Sequence, residues 1–333
     1  MKAKKNLISR REAVCLGGLA TAAIALRSRA EDAGGAVVLE NERLRVAVDP
    51  ANGARLLAFA VKRDGRWLDV SPDGRAAGST TKACSWMMIP YSNRIENGVF
   101  RFEGKEFQLK NGAAHAIHGD ARNHPWKIAE QKSALLKCSL RSADFSDFNW
   151  PWPIDIGAEF SLEGNVFAQR LTIRNRGSTT MPAGFGWHPY YLRTLTQPDE
   201  PALLQMKFAG VYPDTNGNCI PSGPAAAPTA DFDFSKPFAI PHDRKYDHCM
   251  SGYDGKGSIE WPRSGVKLEY DCSPNVTHLV FYNPPDKPFF AVEPAANANN
   301  GVNLLDRGDP TSGVIALPAG DELKANFSIK VTA

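Results

Sequence analysis

Long apolar runs are scarce in this chain of 333 residues. The most conspicuous, Ala13 to Leu26, falls short of the roughly 20 apolar residues that a membrane-spanning helix needs. Cysteine is also sparse. Cys15, Cys84, Cys138, Cys219, Cys249 and Cys272 are widely spaced and form no CxxC, which argues against zinc-finger and thioredoxin chemistry. An HExxH zinc signature, a phosphate-binding glycine loop and a serine nucleophile elbow are all missing, so the sequence offers no metalloprotease, nucleotide or serine-triad site. Sustained helical periodicity and repeats of fixed period are lacking as well.

A basic surplus is missing too, once the first thirty residues are set apart. The whole chain carries +3, but residues 1–30 hold seven Lys/Arg against one Glu, so residues 31–333 carry about −3. Nothing there calls for a nucleic-acid partner. The basic segment has the order of an export signal: Lys2, Lys4 and Lys5, then Arg10-Arg11, the apolar run, and Ser28-Arg29-Ala30 as a small-x-small cleavage pattern. The paired arginines suggest the twin-arginine route, although Ala13 stands where that signal usually has a bulky apolar residue. The expectation is a cleaved signal at 1–30, a mature domain at 31–333 in the periplasm, and no stable membrane insertion after cleavage.

What is present is a succession of strands and turns. Ile154, Ile156, Ala158, Phe160 and Leu162 alternate with polar or small residues, Glu163-Gly164-Asn165 supplies a turn, and Phe167 to Ile173 returns. Val99–Phe102 and Phe107–Leu109 flank Glu103-Gly104-Lys105-Glu106. Leu44–Val48 and Leu56–Val61 bracket Asp49 to Gly53. Further strands are predicted at Val266–Tyr270, His278–Tyr282, Phe289–Val292 and Phe327–Val331, with loops through the proline-rich stretch 197–241. This is the pattern of an all-β antiparallel sandwich rather than of alternating βα units.

Five stretches carry candidate chemistry. In Phe289-Phe290-Ala291-Val292-Glu293-Pro294 a carboxylate ends an apolar run; it is either turned to solvent or buried for a purpose, where desolvation strengthens it as a base. In Gly184 to Tyr191 glycines and aromatics surround His188, which is either a core histidine or the polar handle of a sugar-stacking surface that includes Tyr190. Asn93 and Arg94 lie just ahead of a hairpin, as a surface turn or as a donor fork for hydroxyls. Ala116 to Arg122 contains His118, with His115 and His124 nearby; the spacing of His115 and His118 suggests a metal pair only weakly, and no metal is expected. Lys245 to Cys249 offers Asp247 as an acceptor.

In combination these elements resemble the aldose 1-epimerase (galactose mutarotase) family. The matching stretches, in the family's order, are Asn93-Arg94-Ile95-Glu96-Asn97-Gly98, Ile117-His118-Gly119 followed by Trp126, His188-Pro189-Tyr190-Tyr191, Tyr246-Asp247-His248 and Val292-Glu293-Pro294. The resemblance runs from about Leu39 to the last strand. It implies a large β-sandwich of the galactose mutarotase type, with Glu293 as base and His188 as acid, and with Arg94, His118 and Asp247 binding the sugar beside Asn93 and Tyr190. The implied reaction is anomer exchange of a free aldohexose by ring opening, without cofactor or metal. Val280 stands where some members carry Gln, and His188-Pro189 favours an unphosphorylated sugar over the related hexose-6-phosphate epimerases. A glycoside hydrolase would want a second carboxylate near Glu293, and a non-catalytic sugar-binding module would be expected to lack Glu293 or His188.

Overall fold

Strands account for nearly all the regular structure of the chain. A computed structural model describes residues 35–76, 82–110, 112, 115–285 and 287–333; the expected export signal at 1–30 lies outside them. Residues Val37–Ala333 form one unit. Among the described residues one α-helix is present, Gly301–Asp306. The architecture is the all-β antiparallel sandwich expected from the alternation.

Two large sheets make the sandwich. The nine-stranded sheet runs, edge to edge, Lys127–Lys132, Leu135–Arg141, Ile154–Glu163, Val166–Asn175, Glu322–Thr332, Val266–Cys272, Lys256–Trp261, Leu203–Met206 and Phe238–Ala239. The second sheet orders Gly210–Val211, Tyr246–Ser251, His278–Asn283, Phe289–Ala295, Gly186–Trp187 and Met87–Met88, with Tyr190–Leu192 also pairing Phe289–Ala295. A four-stranded meander, Val37–Glu40, Leu44–Asp49, Arg55–Arg63 and Arg66–Asp69, packs Phe59 against Phe167 at 5.4 Å.

Local chemistry explains the hairpins. Glu163 pairs Val166, so Gly164 and Asn165 alone make the turn, with Gly164 at a positive φ of 58°. The Val99–Phe102 and Lys105–Gln108 hairpin turns on Glu103 and Gly104, both at positive φ (48° and 75°). Lys105 and Glu106, expected in the turn, belong to the strand, because this exposed ribbon tolerates charge on its ladder. The Phe289 strand runs three residues past its predicted end. Proline cannot donate to a ladder, yet Pro294 sits opposite Leu279 within the pairing, and Glu293 lies inside the strand.

The layers are bolted together by aromatic side chains. Trp187 of the second sheet meets Phe327 of the nine-stranded sheet at 5.4 Å, and Tyr270 donates its hydroxyl to Tyr191 across the gap at 2.6 Å. All four are essentially removed from solvent. Their burial stabilises the sandwich, because apolar area removed from water contributes roughly 25 cal/mol per Å². Phe327→Ala should therefore lower unfolding free energy by about 3–5 kcal/mol, read as a lower urea midpoint.

Candidate active site

The site is a row of side chains laid across the second sheet. Gly186 pairs Ala295 and Tyr190 pairs Ala291, so His188, midway between, falls opposite Glu293. On its other side Glu293 pairs Val280, which pairs Cys249. Met87 pairs Trp187 and Met88 pairs Gly186, which sets Trp86 opposite His188, and the His188 N–H donates to the Trp86 carbonyl at 2.9 Å. Directly opposed residues project to the same face of a sheet. One row therefore reads Trp86, His188, Glu293, Val280, Cys249. The next reads Tyr190, Ala291, Tyr282, Asp247. Ala291 and Val280 are small enough to leave a floor between the polar groups.

Loops complete the walls. Gly119 bridges Ile89, and a Cβ there would overlap the Ile89 carbonyl; its φ of 64° is a second reason for glycine. This close approach swings His118 over the row, with its ring 5.0 Å from His188 in edge-on geometry. The His118 N–H donates to the Asn93 carbonyl at 2.7 Å, and Arg94 Nη1 donates to Asn93 Oδ1 at 2.8 Å. The segment after Glu293 holds this loop in place. Asn297 Oδ1 accepts from Ser92 N–H at 3.0 Å, Ser92 Oγ donates to the Asn297 carbonyl, and Asn300 N–H donates to the Arg94 carbonyl at 2.6 Å.

The centre of the row is an acid–base contact. His188 Nε2 lies 3.2 Å from Glu293 Oε1, with the two residues only 5% and 2% exposed. Burial, aided by the charge of Asp247 and opposed by Arg94, pushes the Glu293 carboxyl well above its usual range. Burial also drives His188 down to about 3, with Arg122 and Arg94 adding to the effect. His118 is lowered by burial and by the neighbouring His188, Arg122 and Arg94. Burial thus disfavours the charged form of each member of the pair.

Glu293 Oε2, His188 Nδ1, His118 Nδ1, Trp86 Nε1 and Arg122 Nε are buried without a hydrogen-bond partner among the described residues. Each such group costs about 1–3 kcal/mol when dry. Their gathering at one place marks a surface built to meet a polar molecule. A concavity of about 710 Å³ on the outer face of the nine-stranded sheet, by Lys137, Glu159, Arg170 and Lys324, holds no orphaned buried atom, and its charges are spent on ion pairs such as Lys137–Glu159.

Every candidate residue except His115 and His124 lies on this face or on the loops beside it. Glu293, His188, Tyr190 and Asp247 share the sheet face; Asn93, Arg94 and His118 stand on the loops that carry His118 over it. His115 instead accepts from the Asn97 N–H at 3.0 Å, and His124 pairs with Asp120 at 2.7 Å. No group of three metal-ligating side chains occurs among the described residues. The five described cysteines are free thiols. Sequence reading passed over Trp86, whose ring centroid is 4.3 Å from that of His188, gave Arg122 no task, and missed the Asn297–Asn300 run, which starts three positions past Pro294.

The raised carboxyl has a stability consequence with a definite sign. A buried acid whose folded pKa exceeds its unfolded value costs nothing below the unfolded value and progressively more as pH rises toward the folded one. Glu293→Gln should therefore be more stable than the parent by about 1–3 kcal/mol at pH 7.5. The difference should shrink toward zero near pH 4 in urea titrations; a constant difference would contradict the desolvated carboxyl.

Comparison with known proteins bears on the fold and the family. The chain is 25% identical to the uncharacterized protein YphB of Escherichia coli strain K12, over 80% of this chain and 91% of that one. Its fold matches a galactose mutarotase-like protein from Clostridium acetobutylicum with a TM-score of 0.77 at 16% identity, covering 89% of this chain and 94% of that one. A galactose 1-epimerase from Lactobacillus acidophilus NCFM superposes with a TM-score of 0.68 at 18% identity, covering 89% and 93%. The sequence pattern of the aldose 1-epimerase family matches residues 35–330. With the strand order, the cross-strand row and this match together, the chain belongs to the aldose 1-epimerase family.

Proposed function

We propose that this protein catalyses the exchange of α and β anomers of a free aldohexose. The observation that carries the reading is the 3.2 Å contact between His188 Nε2 and Glu293 Oε1 in a desolvated row of otherwise unpartnered polar groups. Anomer exchange requires a base at the C1 hydroxyl and an acid at the ring oxygen of one hemiacetal, two positions a single bonded carbon apart. Adjacent groups sharing one proton suit that task.

The bias of burial toward uncharged forms does not obstruct these roles. Moving the proton from Glu293 to His188 leaves the net charge of the pair unchanged. A C1 hydroxyl donating to Glu293 Oε2 favours the carboxylate, and a ring oxygen accepting from His188 favours the imidazolium. Glu293 then removes the C1 hydroxyl proton while His188 protonates the ring oxygen. The C1–O5 bond breaks to give the open aldehyde, rotation about C1–C2 presents its other face, and the reverse transfers close the ring. Arg94, Asp247, Asn93 and His118 supply hydroxyl contacts, and Tyr190 and Trp86 supply aromatic surface for the ring. The reading further assigns the work to the periplasm, on the strength of the export signal expected at residues 1–30.

Exchange of freshly dissolved α-glucose and α-galactose, followed by polarimetry or NMR, tests the proposal. The protein should accelerate equilibration. Glu293→Gln and His188→Asn should each lower kcat/KM by about 10²- to 10⁴-fold. Equally slow equilibration by the parent and Glu293→Gln across several aldoses would overturn it.

A further inference from the structure

Arg122 is a charged group of this site for which ring opening provides no task. Its mounting is rigid. The Ala121–Asn123 turn is held by Trp126 Nε1 donating to the Ala121 carbonyl at 3.0 Å and by Asp120, which accepts from Asn123 Nδ2 at 2.8 Å and from the Asn149 N–H at 2.8 Å. Gly53 packs so closely on the Arg122 backbone that a Cβ would collide with its carbonyl. The guanidinium carbon lies 5.5 Å from the centroid of the Trp86 ring.

Its charge is answered only by the nearby Asp120, with no ion-pair contact between them. Arg122 makes no ion pair among the described residues, its Nε is buried without a partner, and the nearby Asp120 carboxylate is already committed to Asn123, His124 and Asn149. A guanidinium does not give up its proton in a protein, so a half-buried one whose Nε lacks a partner is favoured by an anion. Position says where on the ligand that anion belongs. With Glu293 at the C1 hydroxyl and His188 at the ring oxygen, C5 and its C6 substituent lie on the side of the ring oxygen away from C1. That is the Trp86 side of His188, where Arg122 stands.

We infer that Arg122 receives a carboxylate at C6, so that the preferred substrates are hexuronates, aldohexoses oxidised at C6. This rests on the epimerase reading for the orientation of the sugar. A planar carboxylate matches the guanidinium fork with two parallel hydrogen bonds and cancels its single charge. A phosphate ester, close to doubly charged at neutral pH, would bring beside Glu293 and Asp247 an excess negative charge that the single charge of Arg122 does not cancel.

The test compares anomer exchange of glucuronate, galacturonate, glucose, galactose and glucose 6-phosphate by NMR. In the parent, kcat/KM for each hexuronate should exceed that for its hexose by about tenfold to a hundredfold. Arg122→Gln should bring that ratio close to one, chiefly through KM, and Arg122→Lys should restore part of it. A parent ratio of one or less, a ratio untouched by Arg122→Gln in a folded variant, or a preference for glucose 6-phosphate over glucuronate would overturn the inference. Should Arg122→Gln fail to fold, the parent ratio and its decline with added salt decide instead. Should no sugar exchange faster than with Glu293→Gln, the epimerase reading falls, and calorimetry decides the carboxylate separately. Tighter binding of glucuronate than glucose, lost in the Arg122 variants, supports it, and equal binding overturns it.

Discussion

A carboxyl and an imidazole forced together in a dry sheet are the constraint around which the rest of the molecule is arranged. Glu293 sits inside a central strand with every residue of that strand buried. Its partner His188 reaches it because Gly186 and Tyr190 keep register with Ala295 and Ala291 on either side. Desolvation disfavours the charged forms of both groups. A single proton passing between them satisfies that demand without adding net charge to the interior.

Such a site stores unfavourable free energy, and the surrounding structure offsets it. Trp187 on Phe327 and Tyr191 on Tyr270 bury large aromatic area just beneath the polar row. The loops above contribute in a different way. Asn297 and Asn300 spend their side chains and backbone on Ser92, Arg94 and Glu96, so the chain leaving Glu293 fastens the loop bearing Asn93 and Arg94. Gly119 and Gly53 let backbones approach where any side chain would separate them, and they seat His118 and Arg122. Positioning is therefore invested in the backbone, and the side chains that face the row remain free to meet a ligand.

Much of this could be read from residue order. Alternation along Ile154–Glu163 made the antiparallel sandwich legible, and the runs around Asn93, His118, His188, Asp247 and Glu293 named the site. Errors fell where local rules met tertiary context. Lys105 and Glu106 looked like turn residues because they are charged, yet an exposed ribbon accepts charge. The strand from Phe289 was expected to end at Val292, yet its ladder continues through Pro294 to Ala295. Trp86 was invisible because nothing in Ser85-Trp86-Met87 distinguishes a site residue from a core one.

The sequence by itself determined the fold class, the family and the residue types available for chemistry, because periodicity and short motifs are properties of neighbours in the chain. Only the tertiary structure decided that Glu293 is buried inside a strand, that His188 lies opposite it, and that Trp86 extends the same row with Arg122 beside it. Those facts depend on strand register and on loop approach between residues far apart in sequence. The same packing sets the dielectric around Glu293 and His188, and with it where their proton rests.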